Sequence, residues 1–408
     1  MQSCCSSFLS SIVSMAQNQF HHYIPRFILR NFSNETLEKE RPKILLPWRE
    51  ILNPGQHLQT PGPLIQIPIS IKVYSILGKG ITLEDISRIY GVQNLYRDTA
   101  EDDSMRFERL LSQIESSSSM FVRQIVTESQ DLPLTRTRLA NFKKFLAIMM
   151  YRNDSRRKQY AEDSFDMMTR MSIQRHMQSN NINEIQEVWF ENLKWILRTP
   201  VDEIVKEFER SGAMRNPMGA FLTYKGPIHI AELMDTSLLM TMYVCVWEAQ
   251  EGSEFILSDN CFGCFEGHMG CIFHYLFVLS PKYAVVLVKR AYMWDTMKAL
   301  PLRKSWFEEF HANPDVVYSK NNVRGAKDFT PGDVFKYSRI VIPRKKVWLV
   351  NSIFLDVGHK YISYKSDLAM YKSLVFYDKN KKELFENRHD YSILKRKLVA
   401  EMNRTHSG

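Results

Sequence analysis

One long amphipathic helix constrains the fold of this chain more than any other feature. Between about Asp98 and Val126, apolar side chains recur at the spacing of a single helix face. A stripe of this length indicates that the helix packs on a large partner surface. The stripe comprises Phe107, Leu110, Leu111, Ile114, Phe121, Val122 and Ile125.

The same helix carries a line of carboxylates. Glu101, Glu108 and Glu115 recur every seven residues, and two helical turns bring such positions back to nearly the same direction. We therefore expect one line along this helix to be acidic.

Further helices are predicted to follow. After Pro133, a second long helix carries Leu139, Phe142, Leu146 and Met149 inward and continues into the basic cluster YRNDSRRK. Two shorter helices are predicted for NEIQEVWFENLKWIL and PVDEIVKEFERSG. These segments give the chain a helical middle.

Strand patterns precede this middle. The stretch Pro54 to Pro68 holds four prolines and two glycines, so it predicts a loop that leads into the strand-like IQIPISIKVYSI. A helix is predicted near Leu83, because Thr82 and Asp85 have the spacing of a capping box.

Strand patterns also follow the middle. The stretch MTMYVCVWEAQEGSEFILSD predicts a hairpin that turns near Gly252, and CIFHYLFVLSPKYAVVLVKR predicts another that turns at Ser280 to Lys282. We expect these strands to form a small antiparallel sheet. The stretch VWLVNSIFLDVGHKYISY then predicts a helix that carries Asn351, followed by a strand, and KRKLVAEMNR predicts a polar helix.

The order of these elements predicts an α+β fold, with a helical middle and antiparallel hairpins in the N-terminal and C-terminal parts. We expect residues 1–19 to be a disordered extension, with Met15 as an alternative start. Residues 20–378 are expected to form one α+β domain, and residues 379–408 a polar C-terminal helix and tail.

Composition bears on the cellular compartment of the protein and on the chemical class of its partners. The formal charge of +9 favours contact with anions, such as an anionic small molecule or nucleic acid. No apolar run approaches the roughly 18 to 20 residues that cross a bilayer. Six cysteines in 408 residues are too few for a disulfide scaffold, so we expect reduced thiols in the cytoplasm or nucleus. Oligomeric state is left open.

The densest polar segment is HHYIPRFILRNF, from His21 to Phe32. Pro25 lacks an N–H and suits the first turn of a helix, so an extended piece and then a short helix are predicted. Arg26 and Arg30 lie four residues apart and share one face of that helix. The segment is therefore predicted to have one side in the core and the other at a polar pocket.

Several segments occur here in the order found in one known family: HHYIPRFILRNF, FERLLSQIES, LAIMMYRND, FILSDN, FVLSPKYAVVLV and VNSIF. On these motifs the chain resembles domain of unknown function 4238, from about Phe20 to Ser363. It departs where an SDNP-like motif is usual, since Asn260 is followed by Cys261. The resemblance implies no reaction, but it implies which polar residues belong together.

Those residues offer one base that titrates near neutrality, three carboxylates, two fixed cations and two neutral hydrogen-bonding groups. Arginines could hold a phosphate while the histidine or a carboxylate handles a proton. The catalytic candidates are His22, Glu108, Glu115 and Asp259, and the ligand-binding candidates are Arg26, Arg152, Ser258 and Asn351.

Three interpretations of this set remain open. The first is hydrolysis of a phosphodiester or nucleotide in a polar pocket. In the second, Glu108, Glu115 and Asp259 gather Mg²⁺, which prefers oxygen ligands. In the third, the protein is a non-catalytic interaction or sensor protein, and the same residues form a buried structural network.

The stretch CFGCFEGHMGCIFH suggests a zinc site only weakly. Cys261 and Cys264 have C-x₂-C spacing, and His268, Cys271 and His274 follow. The histidine comes one residue early for a zinc knuckle, and the last cysteine lies too close. We favour a glycine-rich hairpin loop with small buried thiols.

Overall fold

The computed structural model describes residues 20–33, 69–96, 106–127, 132–268, 271–289, 305–311, 315–317 and 332–406. The predictions for residues 1–19, for the Pro54 to Pro68 loop, for the first turns of the long helix and for Glu101 lie outside the described residues.

The N-terminal part is built from short strands. β1 (Phe20–His22) pairs with β4 (Gly91–Gln93), and β2 (Ser70–Ser75) pairs with β3 (Gly80–Asp85) in a hairpin. The helix predicted near Leu83 is wrong: Ser70 pairs with Asp85 and Ser75 with Gly80, so Thr82 and Asp85 lie in a strand. The elements are β1 Phe20–His22, α1 Arg26–Leu29, a 3-10 turn Arg30–Phe32, β2 Ser70–Ser75, β3 Gly80–Asp85 and β4 Gly91–Gln93.

The helical middle begins with the predicted amphipathic helix, α2, which spans Arg106–Thr127. Its predicted stripe is confirmed, because Phe107, Leu111, Phe121 and Ile125 are buried and α2 packs on α3 and α6. The other elements here are β5 Leu132–Thr135, α3 Arg136–Tyr151, α4 Asp154–Ala161, α5 Met167–Asn180, α6 Ile185–Arg198, α7 Val201–Arg210, α8 Pro217–Thr223 and α9 Ile230–Thr241.

A break separates α3 from α4. The sequence predicts one helix through the basic cluster, but α3 ends at Tyr151. Asn153 caps α4 instead, since its side chain accepts a hydrogen bond of 2.7 Å from the backbone N–H of Arg156. Arg152 therefore lies in the break, where its side chain is fully buried.

The C-terminal part holds a five-stranded sheet of order β13-β6-β10-β9-β8. The hairpin predicted at Ser280 to Lys282 is confirmed as β9 and β10. The elements are β6 Tyr243–Ala249, β7 Leu257–Ser258, β8 Phe262–His268, β9 Cys271–Val278, β10 Tyr283–Val288, β11 Asp315–Val317, β12 Val334–Tyr337, β13 Arg339–Ile342, α10 Arg344–Val357, β14 Tyr361–Ser363, α11 Asp367–Leu384 and α12 Ser392–His406.

The hairpin predicted near Gly252 is wrong. β6 lies between β10 and β13, so both of its edges are occupied, and its pairing with β13 is parallel. The chain therefore leaves this sheet after Gly252, and β7 joins a different sheet of order β3-β2-β14-β7. That sheet joins strands from both parts of the chain. A further three-stranded sheet has the order β11-β12-β5.

These elements confirm the α+β fold class. The division at residue 378 stays a prediction; α11 runs across it, and α12 buries Leu394 and Leu398. None of the helices in the described ranges combines the length and the apolar character that a membrane span needs.

Candidate functional site

The two-sided character predicted for HHYIPRFILRNF is confirmed. Its core side buries Tyr23, Ile24, Ile28, Leu29 and Phe32. On the other side Arg26 and Arg30 are exposed and His22 is half-buried. Pro25 occupies the cap position before α1, which fixes where the extended strand becomes a helix.

A pocket of about 300 Å³ opens on the polar side of this segment. We call it the N-terminal pocket. One wall comes from β1 and α1, the facing wall comes from α2, and Tyr96 contributes from just after β4. Its polar lining residues are His21, His22, Arg26, Arg30, Tyr96, Glu108, Ser112 and Glu115.

The pocket therefore brings together four of the eight predicted site residues, namely His22, Arg26, Glu108 and Glu115. The predicted acidic line on α2 accounts for the two glutamates, which lie two turns apart. Because α2 faces β1 and α1 across the pocket, carboxylates stand on one wall and arginines on the other.

Arg152 is the fifth predicted residue near the pocket. Its Nη1 donates a hydrogen bond of 2.6 Å to Glu115 Oε1, and its Nε donates one of 3.1 Å to the backbone carbonyl of Tyr23. Burial opposes the charged form of Arg152, but Glu115, Tyr96 and Glu108 outweigh it and raise the arginine pKa. Arg152 thus ties α2 to the opening segment as a fixed cation behind the pocket wall.

Three buried polar atoms around this pocket have no hydrogen-bond partner among the described residues. They are the Tyr96 hydroxyl, Glu108 Oε1 and Arg152 Nη2. His21 Nε2 lies 3.5 Å from Glu108 Oε1, at the outer limit of a hydrogen bond. Because such atoms are costly to leave unmatched, they indicate a place where water or a ligand supplies the partner.

The two histidines are held in defined tautomers. His22 Nε2 lies 2.9 Å from the backbone carbonyl of Ile86, which can only accept, so Nε2 carries the proton and Nδ1 can take one. His21 Nδ1 accepts from the backbone N–H of Tyr96 at 3.3 Å. Burial lowers the pKa of both rings, and His22 lowers that of His21 further. For His22, the hydrogen bond to Ile86 and the charge of Glu115 oppose this effect, while Arg26 and Arg152 add to it.

Glu108 is shifted in the opposite direction. Burial raises the pKa of its carboxyl, Glu115 raises it further, and Arg152 lowers it in part. The pocket thus holds a carboxyl group that keeps its proton longer than usual and imidazole rings that lose theirs more easily. Such opposed shifts suit a proton donor and a proton acceptor in one site.

Asp259 lies elsewhere. It is buried at the end of β7, and its oxygens accept hydrogen bonds of 3.0 Å from the backbone N–H groups of His359 and Lys360. Burial raises the pKa of this carboxyl, while those hydrogen bonds lower it. The carboxylate therefore anchors the turn between α10 and β14, and it does not line the N-terminal pocket.

Ser258 and Asn351 also lie outside this pocket, and most of their hydrogen bonds are with backbone groups. Ser258 Oγ accepts from the N–H of Asn260 at 3.1 Å. Asn351 accepts from the N–H of Ile256 at 3.1 Å and donates to the carbonyl of Glu254 at 2.7 Å and the hydroxyl of Ser373 at 2.9 Å. These side chains join α10 to β7 and α11.

The geometry of the described residues supports neither the Mg²⁺ interpretation nor the zinc interpretation. Within the described ranges, no three His, Cys, Asp or Glu side chains are arranged to hold a metal ion. Cys261 is buried, and Cys264 Sγ lies 2.6 Å from the carbonyl of Asn260. The side chains of His268 and Cys271 lie outside the described part of the structure, although their backbones pair in the β8–β9 hairpin.

Four polar lining residues were not among the eight candidates: His21, Arg30, Tyr96 and Ser112. Ser112 lies one helical turn after Glu108 on α2. His21 stands beside His22, and Arg30 shares a helix face with Arg26, so adjacency and spacing were signals for both. Tyr96 follows a three-residue strand in a stretch without periodicity. Only the pairing of β4 with β1 brings it to the pocket.

Comparison with known proteins gives one family. No match was found among curated proteins or among solved structures. The family described as protein of unknown function (DUF4238) matches residues 21–367, which include the opening segment, α2, the helix break and α10. This match covers most of the chain, and the protein therefore belongs to the DUF4238 family of proteins of unknown function.

Proposed function

We propose that the N-terminal pocket binds a small phosphate-bearing ligand and hydrolyses it as a phosphodiester or nucleotide. The observation that carries this proposal is the set of three unmatched buried polar atoms around one pocket: the Tyr96 hydroxyl, Glu108 Oε1 and Arg152 Nη2. A ligand that accepts hydrogen bonds from the donors would remove the cost of leaving them unmatched.

The charge of the pocket favours an anion. Arg26 is exposed at the rim, and its guanidinium makes no hydrogen bond or ion pair with another described residue. Glu115 is already paired with Arg152, and burial raises the pKa of Glu108. The guanidinium of Arg26 is therefore available to a phosphate, which it can bind through two donors.

The opposed pKa shifts of His22 and Glu108 suggest which group accepts a proton and which group donates one. Neutral His22 takes a proton from water through Nδ1 as the water oxygen forms a bond to phosphorus. Protonated Glu108 gives its proton to the oxygen that leaves as the old P–O bond breaks. These roles are general base and general acid.

Binding is tested first. The melting temperature of the purified full chain is measured against pyrophosphate and a nucleoside triphosphate, because a ligand that binds the native state stabilises it. We expect a shift for the wild type, a much smaller shift for Arg26→Gln, and a wild-type shift for Arg215→Gln, which removes an exposed arginine that lines neither this pocket nor the wall behind it. Equal shifts in Arg26→Gln and wild type would contradict the proposal.

Hydrolysis is tested with bis(p-nitrophenyl) phosphate and nucleotides. Loss of a general acid or base typically costs about 10² to 10⁴ in rate, so Glu108→Gln and His22→Gln should lower turnover by that factor while pyrophosphate still binds. Turnover that survives in both variants would remove the catalytic part and leave the binding part.

A non-catalytic role is the second candidate, and the Arg152 network favours it. Arg152 joins Glu115 on α2 to the carbonyl of Tyr23, which is how an architectural ion pair is built. In that case the pocket senses or holds an anion without chemistry. Saturable binding of pyrophosphate with no turnover of any phosphate ester would select this role.

A further inference from the structure

A second, larger cavity lies beyond the helix break. It has a volume of about 530 Å³ and is lined by residues of α3, α4, α9, β8, β9 and α10. We call it the Asp235 cavity. It shares no lining residue with the N-terminal pocket, and none of the eight catalytic and ligand-binding candidates lines it. A volume of this size is typical of pockets that take small organic ligands.

Two of its charged groups neutralise each other. Arg156 Nη2 contacts Glu232 Oε1, and Arg156 Nη1 donates a hydrogen bond of 2.7 Å to Gln159 Oε1. The Tyr160 hydroxyl donates a further hydrogen bond of 2.8 Å to the same Glu232 oxygen. This arginine and this glutamate are therefore matched within the protein.

Asp235 is the third charged group that lines this cavity, and it does not take part in the pairing of Arg156 with Glu232. It lies one helical turn after Glu232 on α9 and is half-buried. Its carboxylate makes no hydrogen bond or ion pair with any residue in the described part of the chain. Burial raises the pKa of Asp235 to about 7, Glu232 adds to that effect, and Arg156 reduces it. The protein thus places in this cavity an acid whose nearby guanidinium, Arg156, is paired with Glu232 and not with Asp235.

The remaining walls are largely apolar and aromatic. Met150, Ile353 and Val357 line one part, and the rings of Phe262 and Tyr275 line another. Aromatic faces attract organic cations, and more strongly when water is excluded.

A β-bulge shapes the aromatic wall. Phe262 pairs with Phe277 and Cys264 with the next residue of β9, Leu276, so Gly263 is the extra residue. Gly263 has φ +78°, and a Cβ there would lie 2.2 Å from Met150 Cγ. Only glycine fits, and the bulge lets Phe262, Gly263 and Cys264 all line the cavity.

We propose that the Asp235 cavity binds a small organic cation, a primary amine that carries an apolar or aromatic group. The ammonium pairs with the Asp235 carboxylate, and the apolar group lies among Met150, Ile353, Phe262 and Tyr275. An amine satisfies both features at once, because a neutral ligand leaves the acid unmatched and an anion is repelled by it.

The pH dependence of binding follows from the groups that face Asp235. These are Glu232 on the same helix, Arg156 and Tyr160 from α4, Cys264 from β8 and Tyr275 from β9. Burial raises the pKa values of Tyr160, Tyr275 and Cys264, so these groups stay neutral. Asp235 must lose its proton to pair with an ammonium, which stays protonated near neutrality. Affinity for an amine therefore increases from pH 6 to pH 8.

The test uses the full chain, with benzylamine as the probe and benzyl alcohol as its neutral counterpart, measured by isothermal titration calorimetry. At pH 8 we expect saturable binding of benzylamine by the wild type. Asp235→Asn should bind it at least tenfold more weakly. Asp202→Asn, which makes the same change at an exposed position on α7, should bind it as the wild type does.

Three results would overturn the proposal: equal affinity of the wild type and Asp235→Asn, equal affinity for benzyl alcohol and benzylamine, or no saturable binding of benzylamine by the wild type. The wild type supplies a measurement that does not depend on the variant. From pH 6 to pH 8 the ionised fraction of an acid with the pKa of about 7 found for Asp235 increases about tenfold. Affinity should follow it, and a flat profile would also overturn the proposal.

Discussion

Two polar regions of this protein differ in how their side chains are matched. At the junction of β7, α10 and β14, Asn351 makes three hydrogen bonds, two of them to backbone groups, and Asp259 accepts from the backbone of His359 and Lys360. In the N-terminal pocket, Tyr96 and Glu108 each keep a buried atom without a partner among the described residues, and so does Arg152 behind the pocket wall.

This difference separates architecture from a binding site. A polar side chain whose groups are all matched within the protein stabilises one arrangement of the chain and has nothing left for a ligand. A polar side chain with a buried unmatched atom carries a cost that a ligand or an ordered water can remove. Both regions hold residues that the sequence grouped together, so only the hydrogen bonds distinguish them.

The largest expected effect is at the junction. Asn351→Leu keeps the approximate size of the side chain but leaves the N–H of Ile256 and the carbonyl of Glu254 unmatched, whereas the Ser373 hydroxyl keeps its hydrogen bond to the carbonyl of Ala369. At about 1 to 3 kcal/mol for each buried group, we expect a loss of about 3 to 5 kcal/mol in the free energy of unfolding. Urea denaturation measures this loss. Stability close to that of the wild type would show that the junction is not architectural.

Arg152→Met should have the next largest effect. It leaves Glu115 Oε1 and the carbonyl of Tyr23 without the donor they now share. Glu115 is partly exposed, so we expect a loss of about 2 to 4 kcal/mol, at the lower end of the cost of breaking a buried pair. Thermal and urea melts check it. A variant as stable as the wild type would mean that Arg152 serves only the pocket.

Asp235→Asn should increase stability in a pH-dependent way. The folded-state pKa of Asp235, about 7, lies above its unfolded value. The native state therefore binds the extra proton in this window and loses stability as the pH rises from about 4 to about 7. We expect the variant to match the wild type near pH 4 and to exceed it by about 1 to 2 kcal/mol at pH 8, since solvent in the cavity screens part of the effect. Melting curves at several pH values test this, and a pH-independent difference would contradict it.

Tyr96→Phe should have the smallest effect on stability. The hydroxyl that it removes is buried and unmatched among the described residues, so the free energy of unfolding should change by no more than about 0.5 kcal/mol. The affinity for pyrophosphate should nevertheless fall by about five- to tenfold, because one donor is lost. A large loss of stability, or unchanged affinity, would place Tyr96 with the architectural residues.

The parts of the fold predicted from sequence were those with strong local patterns. The apolar stripe of α2 and the hairpin at Ser280 to Lys282 were predicted because their periodicity is clear. The helix near Leu83 was wrong because a two-residue capping signal was outweighed by the pairing of β3 with β2. The hairpin near Gly252 was wrong because β6 has partners on both edges that lie far along the chain.

The candidate site was predicted in part for a similar reason. His22, Arg26, Glu108 and Glu115 lie on elements whose faces the sequence indicates. Tyr96 reaches the pocket only through a strand pairing, and sequence shows neither this nor the backbone groups that match Asp259. Hydrogen bonds to distant backbone atoms leave no pattern in a single sequence.

The central claim is that the N-terminal pocket is an anion site, and a crystal structure of the protein grown with pyrophosphate tests it most directly. We predict that pyrophosphate occupies this pocket with phosphoryl oxygens within hydrogen-bond distance of the Tyr96 hydroxyl and the Arg26 guanidinium. Pyrophosphate bound elsewhere, or a pocket in which ordered water alone matches Tyr96, Glu108 and Arg152, would contradict the account.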